Sequence, residues 1–521
     1  MPAVPVLRTQ PAGRGGQLGP RSGPSPLAAL LHARRAQHGT TAAFIAARGT
    51  RRPITWQEIA GASEEWDRLL VASGAPVGAL IGLALSDPLD FTCAFLAIMA
   101  ARRWVVPIDA GAPAASRHRT WANLPPDAVL ADDRLQPGPI ALPEPSGTGP
   151  APRVPRALRD HGGVVLASSG TTGSPKVVAL DQHRLLHTAR MVVDHHGIRS
   201  SDRVHNVLPL FHVNAEVVVV LSTVLAGASA VLDDRFHRRR FWATVSDHGV
   251  TWVNAVPAVI ARLCQPDPAG NDSTALQRAR RTVRFIRSAS APLPAATRGR
   301  FESCAGLPVV ESYGMTEAGS QICAVPVDDR TTPGSVGRPV GVELRIRESG
   351  RPCPPGIPGG IEIRGPGVIT EYCTPADNAR IGADRWLATG DLGYTDERGN
   401  VFLVGRRDDV INRGGEKLAP SEVEEVLAGD EDVEAVVVVG QPDQVLGQVP
   451  VAYVTLRHGS TGVDQVLARL RDRSAAALPA PKRPTSISVL AAMPVGPTGK
   501  IQRRRLLTPQ PGGVLGALRV P

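Results

Sequence analysis

The chain has 521 residues, 42% hydrophobic and 20% charged, with a formal net charge of +10. That length exceeds what one hydrophobic core serves, so two or more domains are expected, and the composition excludes an intrinsically disordered chain. Aromatic residues make up only 4% and the arginines are scattered, so no basic run interleaved with aromatics marks a nucleic-acid binder; the positive excess suits a small anionic ligand such as a nucleotide or CoA.

The first 25 residues are rich in Pro, Gly and Arg and lack an apolar core, so they read as a loose arm rather than a signal peptide. From Leu27 to about Pro107 the pattern is a βαβ rhythm. A-L-I-G-L-A-L and W-V-V-P-I read as buried parallel strands, with F-T-C-A-F-L-A-I-M-A as the helix between them. Gln136 to Pro155 is a Pro-rich surface linker. Val164 to Ala167 is a short strand feeding the loop S-S-G-T-T-G-S-P-K. The apolar stretch after Glu216 is short for a membrane span and carries Ser, Thr and Gly, so it is expected to be a buried helix and no membrane span is expected. Strands follow in V-T-W-V-N-A-V-P and V-R-F-I-R-S-A-S. After Pro333, V-E-L-R-I-R and G-I-E-I-R-G alternate with period two and predict an antiparallel subdomain. A break at G-R-R-D-D, Gly405 to Asp409, opens a small α+β unit. It has helices over Pro420–Leu427 and Val463–Leu478, and strands over Ala435–Val439, Val451–Leu456 and Thr485–Leu490.

Lysine occurs four times, at Lys176, Lys417, Lys482 and Lys500; arginine supplies the rest of the 58 basic residues. The survivors mark places where a compact ammonium on a flexible stem does what a guanidinium fork cannot. Three of them sit in glycine-bearing turns: S-S-G-T-T-G-S-P-K, R-G-G-E-K and P-T-G-K. Such turns let backbone N–H groups and a lysine approach phosphate together. The six cysteines form no C-x-x-C, which argues against a zinc or redox pair and fits reduced thiols in a cytoplasmic protein.

Other segments carry possible chemistry. They are P-L-F-H-V-N-A (Pro209 to Ala215), R-S-A-S-A-P-L-P (Arg287 to Pro294), E-S-Y-G-M-T-E (Glu311 to Glu317) and P-G-S-V-G-R-P (Pro333 to Pro339). W-L-A-T-G-D-L-G (Trp386 to Gly393), G-R-R-D-D-V-I-N-R-G-G-E-K-L-A-P-S-E-V-E (Gly405 to Glu424) and P-T-G-K-I-Q-R-R-R-L (Pro497 to Leu506) complete the set. Singly, each has a plain reading: Asp391 as a turn residue, Glu317 as a solvated carboxylate, His212 as a core histidine. In this order they resemble the core motifs of the acyl-adenylate-forming superfamily, and most closely its acyl-CoA synthetase branch. The likeness covers roughly Leu27 to Leu506.

The resemblance implies an α/β fold. A large N-terminal domain of stacked mixed sheets with helices and a β-rich subdomain would span residues 26–405, and a hinge 406–409. A small mobile α+β C-terminal lid would span 410–507, with a tail over 508–521. It implies ATP, Mg²⁺ and CoA, a small carboxylic acid as partner, and no nucleic acid; a homodimer and a carrier-protein acceptor stay open. Ser168, Ser169, Gly170, Thr171, Thr172, Gly173 and Lys176 would cradle the ATP phosphates. Thr171 and Glu317 would hold the metal, and Thr316 would touch the α-phosphate. Adenine would lie between Tyr313 and the segment Ser290, Ala291 and Pro292, beside Glu311, Ser312, Gly314 and Met315. Asp391 would accept both ribose hydroxyls, Arg406 would hold ribose or phosphate, and Asp408 would be the hinge. Lys500 would bridge the attacking carboxylate and the α-phosphate, and the Gly414–Gly415 turn would line the pantetheine path after the lid rotates. His212, Val213, Asn214, Trp252, Asn254, Val256, Ser288 and Met315 would line the acyl pocket, with His212 also near the reacting carboxylate. A bulky, aromatic or alicyclic acid is expected. Malonate is disfavoured because related malonyl-CoA synthetases carry an Arg where this chain has Ser312.

Three departures stand out: Val177 follows the loop lysine where the family has Gly, Gly447–Gln448 replaces a G-E pair, and the lead-in to Lys500 reads P-V-G-P-T-G. They keep open a specialised member that mainly carries out one half-reaction, or one that loads a carrier thiol. A non-enzymatic nucleotide binder would be expected to lack Lys500, Glu317 or Asp391, and all three are present.

Overall fold

The computed structural model describes residues 8–9, 23–72, 75–113, 117, 124–132, 153–168, 176–265, 272–328, 332–457, 459–460, 462–495, 501–507 and 513–520. Ser169 to Pro175, Lys500 and nearly all of the Pro-rich linker lie outside the described residues.

Two sheets form the body of the large domain. In the first, Leu80–Ala84, Trp104–Pro107 and Gly163–Ser168 run parallel, and Lys176–Asp181 folds back antiparallel on the last. The helix between the first two strands, Pro88–Ala100, begins at an Asp87 whose carboxylate accepts from the N–H groups of Leu89 and Asp90, with Pro at the first turn. It is apolar all round, and its buried residues run from Leu89 to Ala100, as suits a helix packed on both sides.

The second sheet has nine strands. Its centre is parallel, in the order Val309–Tyr313, Phe285–Ser288, Trp252–Ala255, Arg203–Asn206, Ser229–Leu232 and Ala42–Ala46, with antiparallel strands at both edges. The central strands Trp252–Ala255, Phe285–Ser288 and Val309–Tyr313 are wholly buried, and their carboxyl ends nonetheless carry polar residues, Asn254, Arg287, Ser288, Glu311 and Ser312. A third, five-stranded sheet is antiparallel, and Glu343–Glu348 pairs with Gly359–Arg364 as their period-two pattern predicts. One core cluster runs from Leu27 to Val401.

A separate C-terminal domain has its own core, from Ile411 to Val489. Its helices are Pro420–Ala428 and Val463–Ala477, and its long strands Val433–Asp443, Gly447–Leu456 and Ser486–Leu490. It touches the large domain where the Gln265 amide donates to Glu434 at 3.2 Å. Two expectations are corrected. Within the supposed tail, Val514–Arg519 is an edge strand paired antiparallel with Ser486–Leu490. Within the supposed loose arm, Arg8–Thr9 pairs with Ala128–Val129, and Ser25 caps the helix Pro26–His38 while its hydroxyl donates to Ala100 O at 2.7 Å. Val514–Arg519 is held by main-chain pairing, while residues 1–7 and 10–22 of the arm lie outside the described residues.

The apolar stretch after Glu216 divides: its first part is a buried helix, a π-type turn over Asn214–Leu221 running into Ser222–Ala226, and its end, Ser229–Leu232, is a strand of the nine-stranded sheet rather than helix. Glu216 is 0% exposed and neither carboxylate oxygen has a hydrogen-bond partner. Burial pushes its pKa well above the usual carboxylate range. The folded state therefore keeps a proton that the unfolded chain releases above about pH 4.5. This group's contribution to stability is full below that pH and falls as pH rises toward the folded value. Glu216→Leu should remove a slope of up to about 1.4 kcal/mol per pH unit between pH 5 and 7. Urea midpoints at pH 5, 6 and 7 check it; parallel pH trends in wild type and variant would contradict a buried neutral carboxyl.

Candidate functional site

Parallel α/β sheets present their functional groups at the carboxyl ends of the strands, and the motif residues gather there. Val309–Tyr313 ends on Tyr313, which is 7% exposed. Its hydroxyl donates to Asp391 Oδ2 at 2.5 Å, across from the antiparallel sheet. Burial, and then the charge of Asp391, raise the Tyr313 pKa well above its ordinary value. Asp391 Oδ1 also lies 3.3 Å from Arg406 Nε, and Asp391 and Arg406 are register partners on neighbouring strands. The carboxylate is thus fixed from two sides, and its side chain is 16% exposed.

Gly314 follows Tyr313. A Cβ there would stand 1.7 Å from the carbonyl oxygen of Ser320, so the chain can fold back only on a glycine. Met315 to Ser320 make the tight return: Thr316–Ala318 is one 3₁₀ turn, and the Ser320 N–H donates to Met315 O at 3.0 Å. Ser320 at φ 90° and Ser290 at φ 75° hold left-handed conformations that non-glycine residues rarely adopt. Backbone strain of this kind collects at binding sites.

The turn delivers Glu317, 4% exposed, to a second cluster. Its Oε1 accepts from the Tyr372 hydroxyl at 3.1 Å. Lys176 Nζ lies 5.9 Å from the centre of the Tyr372 ring. Burial, and then the nearby Arg380 guanidinium, lower the Lys176 pKa, while Asp377, Glu317 and Asp408 act in the opposite sense. Arg380 links the two clusters, because its guanidinium donates to Thr389 O, which Arg406 Nη2 also approaches at 3.4 Å. Lys176 opens the strand paired with Gly163–Ser168, so the backbone of Ser168 stands opposite it. Val177 is buried at 2%, and its carbonyl accepts from Cys373 N at 3.1 Å. The Val177 side chain is therefore a core residue in one cluster with Cys373, and its backbone joins this strand to the segment carrying Tyr372.

The expected acyl-pocket residues divide. Asn214, Asn254 and Ser288 are buried, and the two asparagines are bonded to each other. Asn254 Nδ2 donates to Asn214 Oδ1 at 3.0 Å, and Asn214 Nδ2 donates to Ser290 Oγ at 3.2 Å. Trp252 lies one rung back along its strand, 1% exposed and stacked on Phe285 with ring centres 5.6 Å apart. Phe211 and His212 pack ring against ring at 4.5 Å, just before the π-type turn.

On the small domain, Gly414 (φ 59°) and Gly415 (φ 93°) form a two-residue hairpin loop between Ile411–Arg413 and Glu416–Leu418. Positive φ at both central residues is the mirror-type turn that suits strand twist, and it favours glycine at each. Asn412 N donates to Gln448 Oε1 at 2.9 Å, Gly414 N to Leu446 O at 2.8 Å, and Gly415 N to Asn412 Oδ1 at 3.1 Å. An amide oxygen thus holds the hairpin where the family motif has a carboxylate. Asp408 lies in the 3₁₀ turn Arg407–Asp409 between the domains.

Tyr372, Arg380 and Asp377 are missed by motif reading. Tyrosine occurs only four times, but phenylalanine is scarce too, so rarity alone does not single out Tyr372. Outside this region, ligand atoms of Asp233, Asp234 and His237 lie within 4.8 Å of one another, but Arg48 already pairs with both carboxylates.

A model of the AMP-binding enzyme family matches residues 31–373, and one of the AMP-binding enzyme C-terminal domain matches 422–500. The chain belongs to the AMP-binding enzyme family. Within this acyl-adenylate-forming superfamily it sits in the CoA ligase branch. It is 38% identical to a sulfoacetate–CoA ligase from Cupriavidus necator over 358 residues, 68% of each chain. It is 36% identical to an oxalate–CoA ligase from Arabidopsis thaliana over 351 residues, 66% of this chain and 67% of that one. Among solved structures, o-succinylbenzoate CoA synthetase from Bacillus subtilis, in complex with ATP and a magnesium ion, superposes with a TM-score of 0.76. It is 25% identical and covers 93% of this chain and 100% of that one. No helix among the described residues is long and apolar enough to cross a membrane.

The Gly314 turn decides whether Tyr313 and Glu317 reach their partners. Gly314→Ala should destabilise the protein by more than about 3 kcal/mol, the class of effect seen when a side chain is forced into backbone. Gly299→Ala, inside the helix Ala295–Ala305 with nothing within 4 Å of the added carbon, should instead stabilise it by about 0.5–1 kcal/mol. Melting curves of the two variants separate these outcomes.

Proposed function

We propose that the chain is an ATP-dependent acid–CoA ligase, which activates a carboxylic acid as acyl-AMP and passes the acyl group to the CoA thiol. Membership of the CoA ligase branch supports the reaction class. The observation that carries the residue assignments is the convergence of Tyr313, Asp391 and Arg406 at one end of the strand edge with Lys176, Glu317 and Tyr372 at the other.

In this reading AMP lies along that edge. Asp391, pinned by Tyr313 and Arg406, accepts the ribose hydroxyls. Adenine sits between Tyr313 and the Ser290–Pro292 segment. Lys176 and Arg380 face the phosphates, with Ser169 to Gly173 completing the cradle. Glu317 would hold Mg²⁺ together with Thr171. A hard carboxylate oxygen suits that ion, and Glu317 already has one oxygen fixed by Tyr372. When bound, Mg²⁺ neutralises phosphate charge. Thr316 contacts the α-phosphate as the acid attacks it in line and pyrophosphate leaves.

Nucleophile and nucleotide are both anionic, so charge neutralisation and alignment dominate the barrier. Lys500 is assigned to the junction of carboxylate and α-phosphate. Val495 and Ile501 bridge antiparallel on either side of that lysine's loop. The small domain then turns about Asp408 and presents Gly414–Gly415 to the thiol, which attacks the anhydride and releases AMP. Lysine suits these tasks better than arginine because its charge is compact and its stem can withdraw. Unpaired cysteines and the use of ATP and CoA fit a cytoplasmic enzyme.

Pyrophosphate exchange across a panel of acids, without CoA, tests the first step. Lys500→Ala should lower exchange roughly a hundredfold or more, about 3 kcal/mol of lost transition-state stabilisation, and should spare thioester formation from supplied acyl-AMP. Equal loss of both steps would contradict domain alternation. Asp391→Ala should raise the KM for ATP about tenfold or more; an unchanged KM would remove Asp391 from the ribose site.

A further inference from the structure

Arg287 is an isolated buried charge. It stands near the carboxyl end of Phe285–Ser288 and is 0% exposed. Asn254 and Asn206 are its neighbours in register along the next two strands of the sheet. Its Nη1 reaches the amide oxygens of Asn254 at 3.3 Å and Asn214 at 3.4 Å, and its Nη2 that of Gln321 at 3.5 Å. Among the described residues no carboxylate pairs with it. Its Nε has no hydrogen-bond partner, and neither has Gln321 Nε2.

Bonds from a guanidinium to an anion run about 2.7–2.9 Å. All three contacts of Arg287 are longer, and all go to neutral amides. Burial without a counter-charge pushes its pKa down to about 9. A lone buried cation is destabilising and is expected to be retained only where it serves binding. Two donors without acceptors, Arg287 Nε and Gln321 Nε2, add to the demand for an anion.

The position says which molecule brings it. Asn214 turns its oxygen to Arg287 and its nitrogen to Ser290 Oγ, 3.2 Å away, in the segment assigned to the nucleotide. The guanidinium is therefore two hydrogen bonds from the nucleotide side of the site. We propose that Arg287, with Asn214, Asn254 and Gln321, seats a second anionic group on the acid substrate. The substrate is then a short acid bearing a carboxylate or sulfonate besides the carboxylate that reacts. This deepens the ligase reading and rests on it for the location of the reacting end. It departs from the bulky acid expected from motif likeness. Trp252, the one large aromatic among the expected lining residues, is stacked on Phe285 behind this polar rung.

The test uses the full chain with ATP, Mg²⁺ and CoA and matched acids: succinate, glutarate and 3-sulfopropanoate against butanoate, pentanoate and benzoate. Expected is a kcat/KM about a hundredfold or more higher for an acid with a second anion, the scale of a desolvated charge pair. The succinate and 3-sulfopropanoate arms tell carboxylate from sulfonate, and glutarate sets the length. In Arg287→Gln that ratio should collapse or invert, with the loss on the dianionic acids appearing in KM. Without ligand, Arg287→Met should melt no lower than wild type, because it removes an uncompensated buried charge. A wild-type preference for butanoate, pentanoate or benzoate would overturn the proposal. So would an Arg287→Gln enzyme that loses both acid classes equally and melts lower, which is the mark of a structural arginine. If no acid supports exchange, the ligase reading fails, and calorimetric titration of succinate and 3-sulfopropanoate into AMP-loaded protein decides separately. Binding lost in Arg287→Gln supports the anion seat, and no binding to wild type overturns it.

Discussion

The site depends on a hydrogen-bonded carboxylate that ties two sheets together. Tyr313 closes a strand of the nine-stranded parallel-centred sheet, and Asp391 belongs to the five-stranded antiparallel sheet. Their contact, reinforced by Arg406, fixes the second sheet at the carboxyl edge of the first. Without it, the strand ends would present backbone and side chains to solvent with nothing opposite. With it, the strand edge faces strained serine turns on one side and the oriented Asp391 carboxylate on the other. The tie is a charge-assisted bond, and these are shorter and stronger than neutral ones. It also fixes the orientation of the Asp391 carboxylate, whose oxygens face Tyr313 and Arg406.

Around that tie, the buried polar groups are arranged unequally. Glu311 is raised to about 7 by burial although Arg298 lies 3.1 Å away. Glu216 is buried with no partner, whereas Arg287 has three weak ones. Neutral protonation relieves Glu216, since a carboxyl can take up a proton at modest cost. Arg287 has a harder route, because even after burial lowers its pKa to about 9 it keeps its proton at neutral pH. The two residues therefore differ in kind. One is relieved by taking up a proton, and the other remains a cation at neutral pH. Stability surrendered at a binding site in this way is the usual cost of a preorganised polar environment.

Much of this was legible in the sequence, for physical reasons that can be named. Parallel strands buried on both faces read as unbroken apolar runs, so Leu80–Ala84 and Trp104–Pro107 were visible. Half-exposed antiparallel strands read as alternation, so Glu343–Glu348 was too. Glycines that the backbone cannot replace, Gly314 and Gly414–Gly415, stood inside recognisable motifs. Tyr372 and Arg380 were not legible, because their roles arise from a chain crossing that brings residues 372–380 beside Lys176, and no local period encodes such a crossing. Arg287 was hidden differently: its motif was quoted, but in a chain so rich in arginine one more guanidinium carries no signal until its burial is known. The edge strand Val514–Arg519 escaped because, although V-L-G-A-L-R is largely apolar, it lies on a sheet border and follows the last recognised motif, so nothing local marked it as paired.

Scarcity is informative only where the alternative residue is abundant and chemically close. Arginine meets that condition for lysine here. Lys176 stands over Tyr372 near Glu317, and Lys417 lies on the hairpin strand just after Gly414–Gly415. Lys482 pairs with Glu422 inside the small domain, a role a guanidinium could fill equally well. The four lysines therefore do not share one explanation. In the proposed reading those in glycine turns meet a ligand's phosphate or a moving domain, where a narrow, flexible cation is suited, while Lys482 is a surface ion pair of little energetic weight. Distinguishing them requires the surroundings of each ammonium, which the composition alone does not contain.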